Sequence, residues 1–154
     1  ALGARTIVTS SSDTKLARAA AAGADHLINY QGDPDWSKKA RELTDGKGVD
    51  HVFETVGPDT LERSIVATRR DGTVHLVGLI NPIGKIDPML ILGGTVTVRG
   101  VRVGSRQLFE EMNTFIERKE IHPLIGHRFH FGNARDAFAQ QLKGPEFGKI
   151  VITF

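Results

Sequence analysis

Short β-branched runs alternate with stretches of helical periodicity along most of the chain. Apolar runs bounded by glycine or polar residues predict strands over residues 5–9, 26–29, 49–55, 73–79 and 96–101. Between them, apolar residues at helical spacing predict helices over residues 13–22, 35–44, 59–68 and 106–118. Chains in which strands and helices alternate usually form a parallel sheet covered by helices. The pattern therefore predicts a doubly wound α/β fold.

Capping residues mark the boundaries of the first helix. The polar residues 10–12 follow the first strand, Asp13 opens an alanine-rich helix, and Gly23 follows its end. Serine or aspartate at the start and glycine at the end of a helix are the usual caps. The pair Asp71-Gly72 predicts a turn before the fourth strand.

The pattern changes character after residue 120. A strand is predicted over residues 127–131, a helix over 134–142 and a last strand over 149–154. We therefore divide the chain into a partial domain over residues 1–120 and a C-terminal segment over residues 121–154. Residues 1–4 are typical of the last turn of a helix, so we expect the chain to begin within a fold.

Composition excludes several classes of protein. The 154 residues are 40% hydrophobic and 25% charged, which is ordinary for a soluble α/β protein. No apolar run approaches the roughly 18–20 residues that span a bilayer, so no membrane partner is expected. The net charge of +2 is scattered, whereas nucleic-acid binders gather basic residues on one face. The lack of cysteine excludes disulfides and thiolate metal sites here and suits a cytoplasmic protein.

Five ordered stretches carry a family resemblance. They are residues 2–16, residues 23–30, residues 48–57 with their Glu-Thr-Val-Gly end, residues 71–78, and the closing Gly-Lys-Ile-Val-Ile of residues 148–152. Together they resemble the medium-chain dehydrogenase/reductase superfamily, especially its zinc-type alcohol dehydrogenases and quinone-oxidoreductase-like members. The resemblance implies a Rossmann domain that binds a nicotinamide dinucleotide.

The resemblance also implies parts that these residues do not contain. The family's glycine-rich turn follows the first strand of the domain and cradles the pyrophosphate, but no glycine cluster here follows a strand and opens a helix with that spacing. We expect the chain to match the second strand onward, with residues 121–154 completing the catalytic domain. The zinc ligands of the zinc-dependent members lie upstream, so zinc in the whole protein would not be bound by this segment.

No residue is predicted as a catalytic acid or base or as a metal ligand. Asp25, Asp50 and Glu54 are assigned to strand-end or turn roles. His127 and His130 are three residues apart on a predicted strand, where side chains at that spacing point to opposite faces.

Residues near the end of the first strand bear on the choice of cofactor. An acidic residue there accepts hydrogen bonds from the adenosine ribose and favours NAD. This chain has Ser10 and Ser11 instead, whose hydroxyls can donate to a 2′-phosphate. In the NADPH-dependent quinone-oxidoreductase-like relatives a lysine and a tyrosine at the motif positions of Lys15 and Tyr30 contact that phosphate. These four residues favour NADP over NAD.

The ends of the later strands are predicted to border the nicotinamide. Ligands of open parallel sheets sit beyond the carboxyl ends of the strands. The candidates at these ends are Val56, Gly57, Gly78, Leu79, Val101 and Val103. Glycine at two of these positions would allow a close approach of the backbone; Gly57 could equally serve a turn, whereas a turn role alone is less expected of Gly78.

The sequence thus predicts the cofactor-binding part of an NAD(P)-dependent oxidoreductase that transfers a hydride between nicotinamide and an alcohol or carbonyl. One alternative is a zinc-independent NADPH-dependent quinone or enoyl reductase, acting on quinones or enones. Another, from a different class, is a non-catalytic nucleotide-binding module. A methyltransferase is disfavoured because it would usually carry an acidic residue where Ser10 stands. A homo-oligomer is expected.

Overall fold

The computed structural model describes residues 2–78, 80, 83–144 and 146–154. The chain divides into two compact units, residues 3–103 and residues 104–154, with the first two residues grouped with the second unit. This division follows Val103, so the helix after it is grouped with the C-terminal residues. The assignment of residues 121–154 to a catalytic domain stays a prediction.

The unit of residues 3–103 alternates strands and helices. Its elements are β1 (Ile7–Ser10), α1 (Asp13–Ala21), β2 (His26–Asn29), α2 (Trp36–Glu42), β3 (Val49–Glu54), α3 (Pro58–Ala67), β4 (Thr68–Leu76), α4 (Pro88–Gly94) and β5 (Thr97–Gly100). β1 pairs with β2, and β3, β4 and β5 form a second sheet in that order. All of these pairings are parallel, which confirms the predicted α/β class.

The unit of residues 104–154 contains two helices and a parallel pair of strands. Its elements are α5 (Arg106–Arg118), β6 (Ile125–His130), a 3₁₀ turn (Phe131–Asn133), α6 (Ala134–Leu142) and β7 (Lys149–Thr153). β6 pairs with β7. The predicted bounds of α5 and α6 are confirmed. They were predictable because the sequence of each helix changes clearly from polar caps to apolar periodicity.

The fourth strand differs from its prediction. β4 begins at Thr68 rather than at residue 73, and it runs through the Asp71-Gly72 pair that predicted a turn. Thr68 pairs with Val49 and Thr73 with His51, so β4 has extra residues at this point of the ladder. Asp71 has a positive φ of 57° there. The turn signal thus marks an irregularity inside a strand, as such residues often do.

The pattern did not predict α4. Asp87 caps this helix by accepting a hydrogen bond from the backbone N–H of Met89 at 2.8 Å, and Pro88 occupies its first turn. The helix is only seven residues long. A short apolar run has no polar face and does not distinguish a helix from a strand, which is why periodicity missed it.

Two apolar clusters form the core of this unit. Leu61 and Ile65 of α3 pack against Val74 of β4 and Val96, which are all buried. The second cluster joins Ile28 of β2 to residues of α2 and α3. Helix α3 therefore contributes to both clusters.

Arg41 of α2 connects helices and strands through its guanidinium group. Its Nη1 donates to the carbonyl oxygens of Val66 at 3.2 Å and Thr68 at 3.1 Å. Its Nη2 donates to those of Gly46 at 2.7 Å and Lys47 at 3.2 Å. The planar fork of arginine suits such a set of acceptors. The end of α3 and the start of β4 are thereby held against α2.

Candidate functional site

The predicted residues at the end of β1 are brought together by a local hydrogen-bond network. Ser10 Oγ accepts from the backbone N–H of Ser12 at 3.2 Å, and Ser12 Oγ accepts from that of Lys15 at 3.4 Å. The backbone N–H of Tyr30 donates to the Ser10 carbonyl oxygen at 3.1 Å. Ser11 lies within this turn and is half-buried. The structure therefore places Ser10, Lys15 and Tyr30 around one strand end.

The same turn starts helix α1 for a simple physical reason. Ser12 is its N-cap, and the side-chain oxygen satisfies a backbone N–H that has no partner within the helix. The positive end of the helix dipole therefore lies at this turn, where it favours anionic groups. Lys15 is half-buried and Tyr30 is 43% exposed, so both can take part in a surface site.

Sequence reasoning missed a link between α1 and β2 at this site. Asn29 Nδ2 donates to Asp13 Oδ1 at 2.6 Å, and Asn29 Oδ1 accepts from the backbone N–H of Gln31 at 3.0 Å. The signal was present, because asparagine at a strand end often forms such a turn and aspartate favours the first turn of a helix. The two side chains fix the end of β2 beside the start of α1.

The carboxyl end of β3 is organised by the buried side chain of Glu54. Its Oε1 accepts hydrogen bonds from the backbone N–H groups of Val56 at 2.8 Å and Gly57 at 3.1 Å and from Thr60 Oγ1 at 2.8 Å. Its Oε2 accepts from Ser64 Oγ. Only 4% of Glu54 is exposed. The sequence placed Glu54 at a strand end but did not reveal this role.

These hydrogen bonds keep Glu54 ionised. Burial by itself raises the pKa of a carboxyl group, because a charge loses hydration. The donors from Ser64, Val56, Thr60 and Gly57 outweigh burial and hold the pKa of Glu54 below its ordinary value. At neutral pH the site therefore contains a buried carboxylate with several donors.

The predicted residues at the ends of β3, β4 and β5 lie at one edge of their sheet. Gly57 is buried and has a φ of 110°, which disfavours other residues. The backbone N–H groups of Val77 and Gly78 donate to the Glu54 carbonyl oxygen at 2.8 and 3.1 Å. The backbone N–H of Val101 donates to the Leu76 carbonyl oxygen at 2.9 Å.

The remaining candidates of this group differ in their surroundings. Val101 is 39% exposed and Val103 is 97% exposed. Leu79, the other predicted residue of the β4 end, lies outside the described residues. A side chain on Gly78 would overlap the carbonyl oxygen of Thr55, so its glycine is required by the chain's own packing. A cofactor role for these residues stays a prediction.

The histidine pair of the C-terminal unit takes part in local contacts. His127 Nε2 lies 3.2 Å from Glu146 Oε2, and His130 Nδ1 accepts from the backbone N–H of Gly132 at 3.3 Å. Within the described residues, no group of three or more histidine, cysteine, aspartate or glutamate residues is arranged to hold a metal ion.

None of the described helices has the length and apolar character needed to cross a membrane.

The ionised Glu54 predicts a specific dependence of stability on pH. Because its folded-state pKa lies below the unfolded value, its stabilisation is fully present above about pH 4.5 and is lost as pH falls through the folded-state pKa. We expect Glu54→Gln to lower the free energy of unfolding by about 1–3 kcal/mol at neutral pH. The difference from wild type should shrink as pH falls below about 4.5 and passes through the folded-state pKa. Urea unfolding over this range measures both quantities.

Asp50 provides the control for this prediction. The hydrogen bond from Arg69 is the main cause that lowers the pKa of this exposed carboxyl. Solvent screens this pair, so Asp50→Asn should change the pH profile much less. A Glu54→Gln variant whose deficit stays constant down to the acid limit would contradict the assignment of a buried carboxylate.

Comparison with known proteins identifies relatives of the chain. The family model described as zinc-binding dehydrogenase matches residues 1–118. A zinc-type alcohol dehydrogenase-like protein of Schizosaccharomyces pombe is 37% identical over 157 residues. That match covers 99% of this chain and 45% of the relative, so the chain spans less than half of the relative's length.

Solved structures show the same fold. The crystal structure of an NAD-dependent alcohol dehydrogenase superposes with a TM-score of 0.84 at 30% identity, covering 99% of this chain and 44% of that one. A mycobacterial protein in complex with NADPH superposes with a TM-score of 0.77 at 27% identity, covering 99% of this chain and 51% of that one. With its family match and its parallel α/β fold, the chain belongs to the zinc-binding dehydrogenases of the medium-chain dehydrogenase/reductase superfamily.

Proposed function

We propose that this chain is the cofactor-binding part of an NAD(P)-dependent oxidoreductase that transfers a hydride between nicotinamide and an alcohol or carbonyl. The observation that carries the proposal is the gathering of candidate residues at the carboxyl ends of parallel strands, where open α/β sheets bind dinucleotides. The nicotinamide supplies the hydride chemistry when bound. The residues of this chain bind and orient it.

We propose NADP rather than NAD as the cofactor. Ser10 and Ser11 offer hydroxyl donors at the end of β1, and the half-buried Lys15 offers a positive charge in the adjoining helix turn. The exposed face of Tyr30 offers a further contact. A mycobacterial neighbour was crystallised with NADPH, which favours this choice, whereas another neighbour is described as NAD-dependent. The residues at β1 therefore carry the argument.

We propose that the nicotinamide end lies against the second sheet. The residues that would border it are Val56, Gly57, Gly78, Leu79, Val101 and Val103. Among the described strands, β1 pairs only with β2, and β3 pairs only with β4. A further strand of the whole protein, with the glycine-rich turn, would fit between β1 and β3 and connect the two ends of the cofactor site.

For the whole protein we further propose small alcohols, carbonyls, quinones or enones as substrates. Residues 121–154 would complete its catalytic domain, and zinc, where the protein uses it, would be held outside this segment. A cytoplasmic homo-oligomer fits the composition and the family.

A zinc-independent NADPH-dependent quinone or enoyl reductase is the second candidate. The joint presence of Lys15 and Tyr30 favours it, since these residue types occur at these motif positions in the quinone-oxidoreductase-like relatives. It differs from the first candidate in the substrate and in the need for zinc.

Turnover by the whole protein tests the proposal. We expect NADPH to be oxidised in the presence of an aldehyde, ketone, quinone or enone panel, with NADH less effective by at least about tenfold in kcat/KM. Loss of activity after chelation indicates the zinc-dependent candidate, and unchanged activity indicates the second. A protein that binds NADPH or NADH but turns over none of these substrates supports the non-catalytic nucleotide-binding module, and one that binds neither cofactor contradicts both candidates.

A further inference from the structure

We infer that Glu54 is a positioning residue for the nicotinamide end of the cofactor. It would act by fixing the positions of two turns relative to each other, the β3–α3 turn at residues 55–57 and the β4 end at residues 77–78. The inference rests on the proposed function, which places the nicotinamide against these turns. It concerns a group that the sequence assigned only to a strand end.

The side chain of Glu54 holds the first turn. Two backbone N–H groups, those of Val56 and Gly57, donate to a single carboxylate oxygen. Thr60 and Ser64 donate from the first two turns of α3. The carboxylate thus joins the strand end to the helix that follows it.

The backbone of Glu54 holds the second turn. Its carbonyl oxygen accepts from both Val77 and Gly78 at 2.8 and 3.1 Å. A residue just beyond the second turn also contacts the first turn, since the backbone N–H of Ile80 donates to the Val56 carbonyl oxygen at 2.9 Å. One residue therefore connects two of the strand ends that would face the nicotinamide.

The chemistry of the partners explains why a carboxylate occupies this position. The carboxylate of Glu54 has four partners, two backbone N–H groups and two hydroxyl groups, and all four donate to it. An ionised carboxylate suits them because it accepts at both oxygens and donates at neither. Hydrogen bonds to an ionised acceptor are also stronger than those to a neutral one. Glutamine could retain the Oε1 contacts and donate to the Ser64 hydroxyl, which can turn to accept. Alanine would leave both backbone donors of the turn buried without a partner.

The adenosine end of the cofactor provides the internal reference. Its proposed residues lie at β1, α1 and β2, and the sheet of β1 and β2 is separate from the sheet that contains β3 and β4. Loss of Glu54 should therefore weaken the binding of a whole cofactor more than that of a fragment that carries only the adenosine end.

The test compares NADPH with 2′,5′-ADP on the full-length protein by calorimetry. We expect Glu54→Ala to raise the Kd of NADPH at least about tenfold and that of 2′,5′-ADP less than about twofold. Glu54→Gln should restore most of the lost NADPH affinity, because the amide keeps the Oε1 contacts. An unchanged Kd for NADPH, or an equal loss for both ligands, would overturn the inference.

Two further variants separate positioning from general destabilisation. Ile65→Ala removes a buried side chain of the same helix that belongs to the apolar cluster with Val74 and Val96, so it should lower Tm but leave both dissociation constants unchanged. Thr60→Val removes one donor and should raise the Kd of NADPH by about threefold even if Glu54→Ala fails to fold. An unchanged Kd of NADPH in Thr60→Val would contradict the inference.

The proposed function and this inference fail in different ways. Wild-type protein that binds no nicotinamide cofactor contradicts the proposed function and the inference with it. Wild-type protein that binds NADPH, with Glu54→Ala binding it equally well, contradicts the inference alone.

Discussion

Replacing Ser10 with aspartate is expected to reverse the cofactor preference of the whole protein from NADPH to NADH. Ser10 is half-buried at the end of β1, beside the start of α1. A carboxylate about 4 Å from a phosphate charge costs about 4 kcal/mol at an effective dielectric of about 20. Solvent reduces this cost, yet even ~1.4 kcal/mol is a tenfold preference. The same carboxylate can accept hydrogen bonds from the ribose hydroxyls of NADH.

Steady-state kinetics with both cofactors measure this change. We expect the ratio of kcat/KM for NADPH to that for NADH to fall by about 10- to 100-fold in Ser10→Asp. The local turn should remain intact, because an aspartate side chain can accept the hydrogen bond from the backbone N–H of Ser12 that Ser10 Oγ accepts in the wild type. Ala20→Asp adds the same charge on an exposed face of α1, about two turns away, and should leave the ratio unchanged.

Lys15→Ala provides an independent arm of this experiment. A charge-assisted contact with the 2′-phosphate contributes ~1.5–3 kcal/mol, so its loss should weaken NADPH and not NADH. A wild-type preference for NADH that persists in Lys15→Ala would refute the argument from residues at β1.

Gly78→Ala is expected to cause the largest loss of stability among single methyl additions in this chain's strand ends. A Cβ at this position would overlap the Thr55 carbonyl oxygen and would lie 2.5 Å from the carbonyl carbon. Both atoms are backbone, so the clash cannot be relieved by a rotamer change. Forcing extra atoms into a packed site costs about 1–3 kcal/mol and occasionally more. The shift would also disturb the hydrogen bonds of residues 77 and 78 with Glu54.

Thermal unfolding and cofactor binding together measure this effect. We expect a fall in Tm of at least about 4 °C and a loss of NADPH affinity of at least about tenfold. Gly93→Ala is the matched control, because a Cβ there meets no atom within 4 Å and alanine favours a helix. Wild-type Tm and affinity in Gly78→Ala would show that the two strand ends can separate without cost.

The contrast between the two ends of the site shows what local sequence determines. The network of Ser10, Ser12 and Lys15 spans six residues, and capping preferences alone predict its hydrogen bonds. The strands and most helices were likewise predicted from periodicity and caps. Capping preferences do not predict that Tyr30 lies close to Ser10, because that depends on the pairing of β1 with β2. The resemblance to a known family predicted this proximity.

The role of Glu54 depends on contacts that no local pattern contains. Its partners come from the next turn, from Ser64 ten residues later and from the end of β4 more than twenty residues later. A glutamate that ends a strand gives no sign of whether it is solvated or buried. The early start of β4 escaped prediction for a related reason, since the ladder with β3 continues through residues that favour a turn.

The division of the unit into two sheets has a consequence for protein engineering. β1, α1 and β2 carry the residues proposed to contact the adenosine and share no strand pairing with β3, β4 and β5. Residues 7–30 therefore form a cassette that could be exchanged between relatives to alter cofactor choice without redesigning the nicotinamide side. The grafted segment must keep an apolar residue at position 28, because Ile28 packs against Ala40 and Ala67 at the junction.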